Sequence, residues 1–186
     1  REFAGAETVF TIQVIDGASA EAAALPAALA EIIAAHPDVE VVPRSPDGAE
    51  AIRLVGQDPT RRLGQDWLQL LDGRWPGPGE ITLSSRAIDR LDAVGATGDI
   101  GAKVMISGAT RTVVGRYENP TDLDAPTGIV PVAETGSWAD VSVLLPDASH
   151  PAVSKLARAL GTSGSTDNES GLSPLGVSQL DRGSDS

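Results

Sequence analysis

The chain has 186 residues, 41% of them apolar, which suits one sizeable domain or two small lobes sharing a core and excludes a disordered chain. Its 26 acidic residues against 14 basic ones give a formal net charge of -12, a field that repels nucleic-acid backbones and anionic lipid headgroups. There is no cysteine, which excludes disulfides, thiolate nucleophiles and cysteine-ligated zinc, and no apolar run of about 18 residues of the kind a membrane span needs.

Residues 1–7 read as a junction or linker, because Arg1, Glu2 and Phe3 lack the basic and then apolar pattern of a signal peptide and suit a domain cut from a longer protein. The stretch TVFTIQVID at residues 8–16 alternates Phe10, Ile12 and Val14 with Thr11 and Gln13, which predicts a half-buried strand. Ser19 is then a candidate N-cap, and Leu25, Leu29, Ile32 and Ile33 fall on one face of an Ala-rich helix that ends at His36 and Pro37. Pro26 removes a backbone donor, so this helix should begin near it or kink there. Residues 39–43 and 50–56 read as short strands on either side of a turn-rich link.

Leu63, Trp67, Leu70 and Leu71 recur at helical spacing with Gly73 just beyond, which predicts a second helix over residues 59–71. The proline- and glycine-rich residues 74–79 form a turn, and residues 80–84 alternate as a strand. Ser84 or Ser85 caps a short helix carrying Ala87, Ile88 and Leu91. A hairpin follows, with Val104 and Ile106 on one arm, Ser107, Gly108 and Ala109 in the turn, and residues 111–117 returning. Residues 128–132 and 139–145 read as strands, and Val153, Leu156, Ala157 and Leu160 as the apolar face of a last small helix. Residues 161–186 are rich in Ser, Gly and Asp. Their few apolar residues, Leu172, Leu175, Val177 and Leu180, could dock as a short segment, but the tail as a whole is expected to be flexible.

The chemistry-bearing residues are sparse. The two histidines, His36 and His150, each precede a proline at a helix boundary, where imidazoles cap or sit at the surface, and no GxSxG elbow supplies a serine nucleophile. Asp122 and Asp124 share a loop and Asp89 and Asp92 share a helical turn, but neither pair belongs to an EF-hand or HExxH pattern, so both read as solvated surface. Neither phosphate-binding glycine pattern occurs between residues 95 and 101. Arg61, Arg62, Arg86 and Arg90 lie among acidic neighbours, and Trp67 reads as core. No catalytic group, cofactor site or metal site is expected.

The stretch VGQDPTRRLGQDWLQLLDGRWPGPGEITLSSRAIDRL, followed by VGATGDIGAKVMISGATRTVVGRYENP and GIVP, resembles the MacB-like periplasmic core domain of FtsX-like ABC transporter permeases. The resemblance is carried by Gly56 and Asp58, the Leu71-Asp72-Gly73-Arg74-Trp75-Pro76 turn, the glutamate-led strand from Glu80, the helix ending at Leu91, the Gly98-Asp99 step, and Val113-Val114-Gly115. On this reading Gly73 and Gly77 permit a sharp exit from the helix before them.

The resemblance implies an α+β fold with mixed, mainly antiparallel sheets and helices packed on one side. The domain should span residues 8–160, with room for a second lobe at about 57–118 inserted between flanking strands. It also implies a non-catalytic extracytoplasmic domain of an integral membrane permease, which couples ATP-driven movement of the membrane helices to a substrate or protein partner outside the membrane. The ATPase would be a separate subunit or domain, and a homodimer in the full transporter is compatible with this. The candidate partner surface is the long polar loop carrying Asn119, Asp122, Leu123 and Asp124, in which Leu123 stands exposed among carboxylates; the alternative is that the loop only connects two strands. Two other functions compete with this one. A secreted binding module for a peptide or lipid requires a sizeable apolar cleft, and a carboxylate-based hydrolase requires an acid pair essential for turnover.

Overall fold

The computed structural model describes residues 8–13, 20–48, 51–61, 68–147, 149–159 and 177–181. In chain order the strands and helices are β1 (Thr8–Gln13), α1 (Ala20–Ala35), β2 (Glu40–Arg44), β3 (Arg53–Gly56), β4 (Gln69–Gly73), β5 (Glu80–Ser84), α2 (Ser85–Ala93), β6 (Lys103–Ile106), β7 (Ala109–Glu118), β8 (Thr127–Val130), β9 (Asp140–Leu145), α3 (Ala152–Ala159) and β10 (Val177–Asp181). A short 3-10 turn occupies Val132–Glu134. The fold is α+β with mostly antiparallel pairing, as the sequence predicts. The chain divides into two compact units, with boundaries between Val41 and Val42 and between Trp138 and Ala139.

The unit made from residues 6–41 and 139–186 is built around β1, which pairs antiparallel with β9 on one side and β10 on the other. Val141, Val143, Leu144 and Leu145 are all buried, so β9 is covered on both faces and reads as a continuous apolar run rather than an alternating one. Helices α1 and α3 pack together, and Leu29, Ile32 and Ala152 supply buried side chains. The α1 helix starts at Ala20 and runs through Pro26, so the proline does not mark its start. Several sequence expectations fall wholly or partly outside the described residues: the linker at 1–7, the end of the first strand (14–16), the Ser19 cap, Leu160 of the last helix and most of the tail (161–176 and 182–186). Within the tail, residues 177–181 form β10. The backbone groups on one of its edges pair with β1, which a composition argument about side chains does not register.

The unit made from residues 42–138 has the strand order β3-β8-β5-β7-β4, with β6 also pairing β7. Two pairs are parallel, β3 with β8 and β5 with β7, and the rest are antiparallel. Its core gathers Leu54, Ile81, Leu83, Val104, Ile106, Val113 and Val130 from the strands and Ile52 from just before β3, with Ala87 and Leu91 from α2. These are small aliphatic side chains, consistent with the scarcity of aromatics.

The helix expected over residues 59–71 is not what forms at its C-terminal end. Leu70 and Leu71 belong to β4, which pairs antiparallel with the second half of β7. Residues 62–67, including Leu63 and Trp67, lie outside the described residues. The ten-residue β7 offers β4 a ladder that local helical spacing cannot match, so tertiary pairing overrides the pattern. Gly73, at φ 74°, therefore ends a strand rather than a helix.

Candidate functional site

The turn after β4 shows what the Leu71 to Pro76 segment does physically. The Arg74 backbone N–H donates to Val114 O at 3.0 Å, and Thr82 Oγ1 donates to Arg74 O at 2.8 Å, so the turn is tied to two strands. The Arg74 guanidinium grips the Glu80 carboxylate with two hydrogen bonds of 2.6 and 2.5 Å, and the Gly77 N–H donates to the same carboxylate at 2.8 Å. The Arg74 hydrogen bonds, aided by that amide and the arginine charge, hold the Glu80 carboxyl down at about 2 against the opposing effect of burial. Backbone crowding requires glycine at position 115, where a Cβ would lie 2.4 Å from Arg74 O. Trp75 approaches the buried Tyr117 ring with centroids 6.0 Å apart.

The loop of residues 119–126 leaves β7 and returns into β8. Ser84, which ends β5 and caps α2, anchors its return end. Its Oγ accepts from Ala87 N at 3.1 Å and from Thr127 N at 3.0 Å, and donates to Ala125 O at 3.1 Å. That uses the one donor and two acceptor positions of a hydroxyl in full. Tyr117 shares a 2.6 Å hydrogen bond with Thr127 Oγ1, and burial pushes the phenol pKa up despite that bond and the Arg44 charge. Arg53 N donates to Pro126 O at 3.0 Å. The base of the loop is therefore fixed on both sides.

Among the described residues, the tip's hydrogen bonds are local ones. Asn119 Oδ1 accepts from Thr121 N at 3.0 Å and Thr121 Oγ1 at 2.7 Å, and Asp122 N donates to Asn119 O at 3.0 Å, an Asx-type turn. Beyond it Leu123 is 61% exposed, and Asp122 and Asp124 beside it are also exposed. The four residues picked out by sequence are thus brought together on one tip: Asn119 shapes the turn, while Leu123 and the two aspartates face solvent.

A cleft of about 230 Å³ in the same unit is lined by Ser45, Asp47, Arg111, Glu134, Thr135 and Ser137 among others. It falls below the roughly 300–1,000 Å³ of small-molecule pockets. The buried Arg111 is spent on structure, donating to Ile106 O at 2.9 Å and Glu134 O at 3.0 Å. In the other unit, His36 closes the end of α1 through its N–H to Ile32 O at 2.8 Å, and His150 caps α3 by accepting Ala152 N–H on Nδ1 at 3.2 Å. Both histidines sit at helix boundaries, as the sequence indicates. Sequence reading missed that the fold brings His36, Asp38 and His150 together, the group among the described residues that could hold a metal, with ligand atoms within 4.8 Å of one another.

The family model described as the MacB-like periplasmic core domain matches residues 1–160. The chain belongs to that family. This MacB-like core domain thus stands with the extracytoplasmic domains of MacB/FtsX-like ABC transporter permeases. Solved structures agree at the level of the fold. The periplasmic region of MacB from Actinobacillus actinomycetemcomitans superposes with a TM-score of 0.51 at 13% identity, covering 82% of this chain and 81% of that one. The extracellular domain of the noncanonic ABC-type transporter YknZ from Gram-positive bacteria gives 0.52 at 19% identity, covering 81% and 91%. No curated protein matches the sequence. Among the described residues of the MacB-like core domain, no helix is long and apolar enough to cross a membrane.

Proposed function

We propose that this domain works outside the cytoplasm as part of an integral membrane permease, and passes ATP-driven movement of the membrane helices to a protein or substrate there. It does so without catalytic groups of its own. The ATPase belongs to another subunit or domain, and the loop of residues 119–126 is the contact surface. The observation that carries this reading is Leu123, 61% exposed between two aspartates on a loop whose base is tied down by Ser84, Tyr117 and Arg53. An apolar side chain displayed on a loop with a fixed base contacts a partner at a reduced ordering cost, because the loop's ends are already held. The loop also carries no part of the core, so it is free to serve a contact.

The test is Leu123→Asp, with partner association and transport measured in the full permease and thermal unfolding measured on the domain. Association and transport should fall while the unfolding midpoint stays put, since an exposed substitution away from structural features moves stability by less than about 0.5 kcal/mol. Unchanged association and transport would remove the loop from the function.

A further inference from the structure

We propose that His36, Asp38 and His150 form an exchangeable binding site for a zinc-class divalent metal ion. The three residues come from the end of α1, the turn leading into β2 and the cap of α3, and one ligand-type atom of each lies within 4.8 Å of the others. His150 Nε2 is 3.0 Å from Asp38 Oδ2, and the two imidazole rings meet edge to face with centroids 5.1 Å apart. With metal–ligand bonds of about 2.0–2.1 Å, neighbouring ligand atoms of a tetrahedral ion sit about 3.3 Å apart. The His150 and Asp38 pair, 3.0 Å apart, is already close to that spacing, and the third ligand, within 4.8 Å, needs to close in by up to about 1.5 Å.

A second observation points the same way. His36 Nε2 is buried and has no hydrogen-bond partner, although an imidazole nitrogen shut away from water normally finds one. A metal ion would use its lone pair. Asp38 supplies charge and access, its side chain being 56% exposed beside a His150 that is 8% exposed. Two imidazoles and one carboxylate select zinc-class ions over calcium or magnesium, which prefer all-oxygen sets, and leave a fourth position for water.

The capping bond sets the strength of the site. His150 Nδ1 accepts Ala152 N–H, so in the metal-free state its proton sits on Nε2 and is shared with Asp38. When the ion takes Nε2, that proton moves to Nδ1 and Ala152 N–H loses its acceptor. Binding is therefore weakened by the helix cap, which makes the site exchangeable rather than permanent.

The experiment is calorimetric titration of the 186-residue chain with zinc chloride, and separately with calcium chloride, on wild type, His36→Gln and Asp38→Asn, each checked for folding by circular dichroism. Expected is one zinc per chain with micromolar affinity and no calcium binding at that affinity. Each substitution should weaken zinc binding about tenfold or more, and the Ala152 amide should exchange faster in the zinc-bound protein. Because His36 Nε2 has no partner to lose, His36→Gln should fold normally. Zinc binding that either folded variant leaves unchanged would mean another site holds the ion and would overturn the proposal, as would calcium binding equal to zinc or no micromolar binding by wild type.

Discussion

Replacing Ser84 with alanine removes a single oxygen and should loosen three segments at once. The hydroxyl is buried and caps α2 through Ala87 N, holds Thr127 N at the start of β8 and satisfies Ala125 O at the end of the loop. Loss of an N-cap costs about 1 kcal/mol, and stranding one further donor and one acceptor at a partly buried site adds about 1–2 more, so the total is about 2–3 kcal/mol. With a urea slope of roughly 1–3 kcal/mol per molar, the unfolding midpoint should fall by about 1 M at unchanged slope. Amide exchange locates the effect: Ala87 and Thr127 should lose more protection than the β6–β7 hairpin amides. A midpoint within about 0.2 M of wild type, with protection at Thr127 intact, would show that the hydroxyl does not brace the loop.

Two further substitutions test the turn after β4. Glu80→Gln removes the carboxylate that Arg74 holds at about 2, well below its ordinary 4.5. The lowered pKa means the stability it confers is fully present above about 4.5 and is lost as pH falls toward 2, so wild type should exceed Glu80→Gln at neutral pH and converge with it in acid. A stability gap that does not change with pH, read by denaturant titration, would contradict the ion-pair account. Gly115→Ala forces a Cβ to within 2.4 Å of the Arg74 carbonyl, so β4 and β7 must part locally. A loss of about 1–3 kcal/mol is expected from overpacking, and an unchanged urea midpoint would refute the close approach.

How much of this was legible in the sequence depended on whether the deciding contacts were local. A cap at Ser84 or Ser85, the β6–β7 hairpin and the exposed Leu123 follow from residues within a few positions of one another, and all are present, with Ser84 as the cap. At β4 the reading failed, because Leu70 and Leu71 answer to a partner strand more than forty positions away in sequence. In the polar tail Val177 and Leu180 suggested only a short docking segment, and its pairing with β1 as β10 was not legible because it is made through backbone groups. The histidine cluster was hidden for the same reason. His36 and Asp38 are two positions apart, but His150 reaches Asp38 across 112 residues, and no spacing motif spans such a gap. In the loop, the hydroxyl that fixes its base sits 43 positions before Thr127, so sequence could show the tip but not what braces it.

The pairing of β1 with β10 has a mechanical consequence. Thr8 lies opposite Asp181, so the first and last strands meet at the same end of their ladder. Pulling residues 8 and 181 apart would load one rung at a time and peel the strands like a zip, whereas shear would load all rungs together. Such a ladder yields to small opposing forces but is untouched when both ends are displaced in the same direction. Loaded at these two points, the ladder would follow a common push or tilt and would open at β10 if residues 8 and 181 were driven apart.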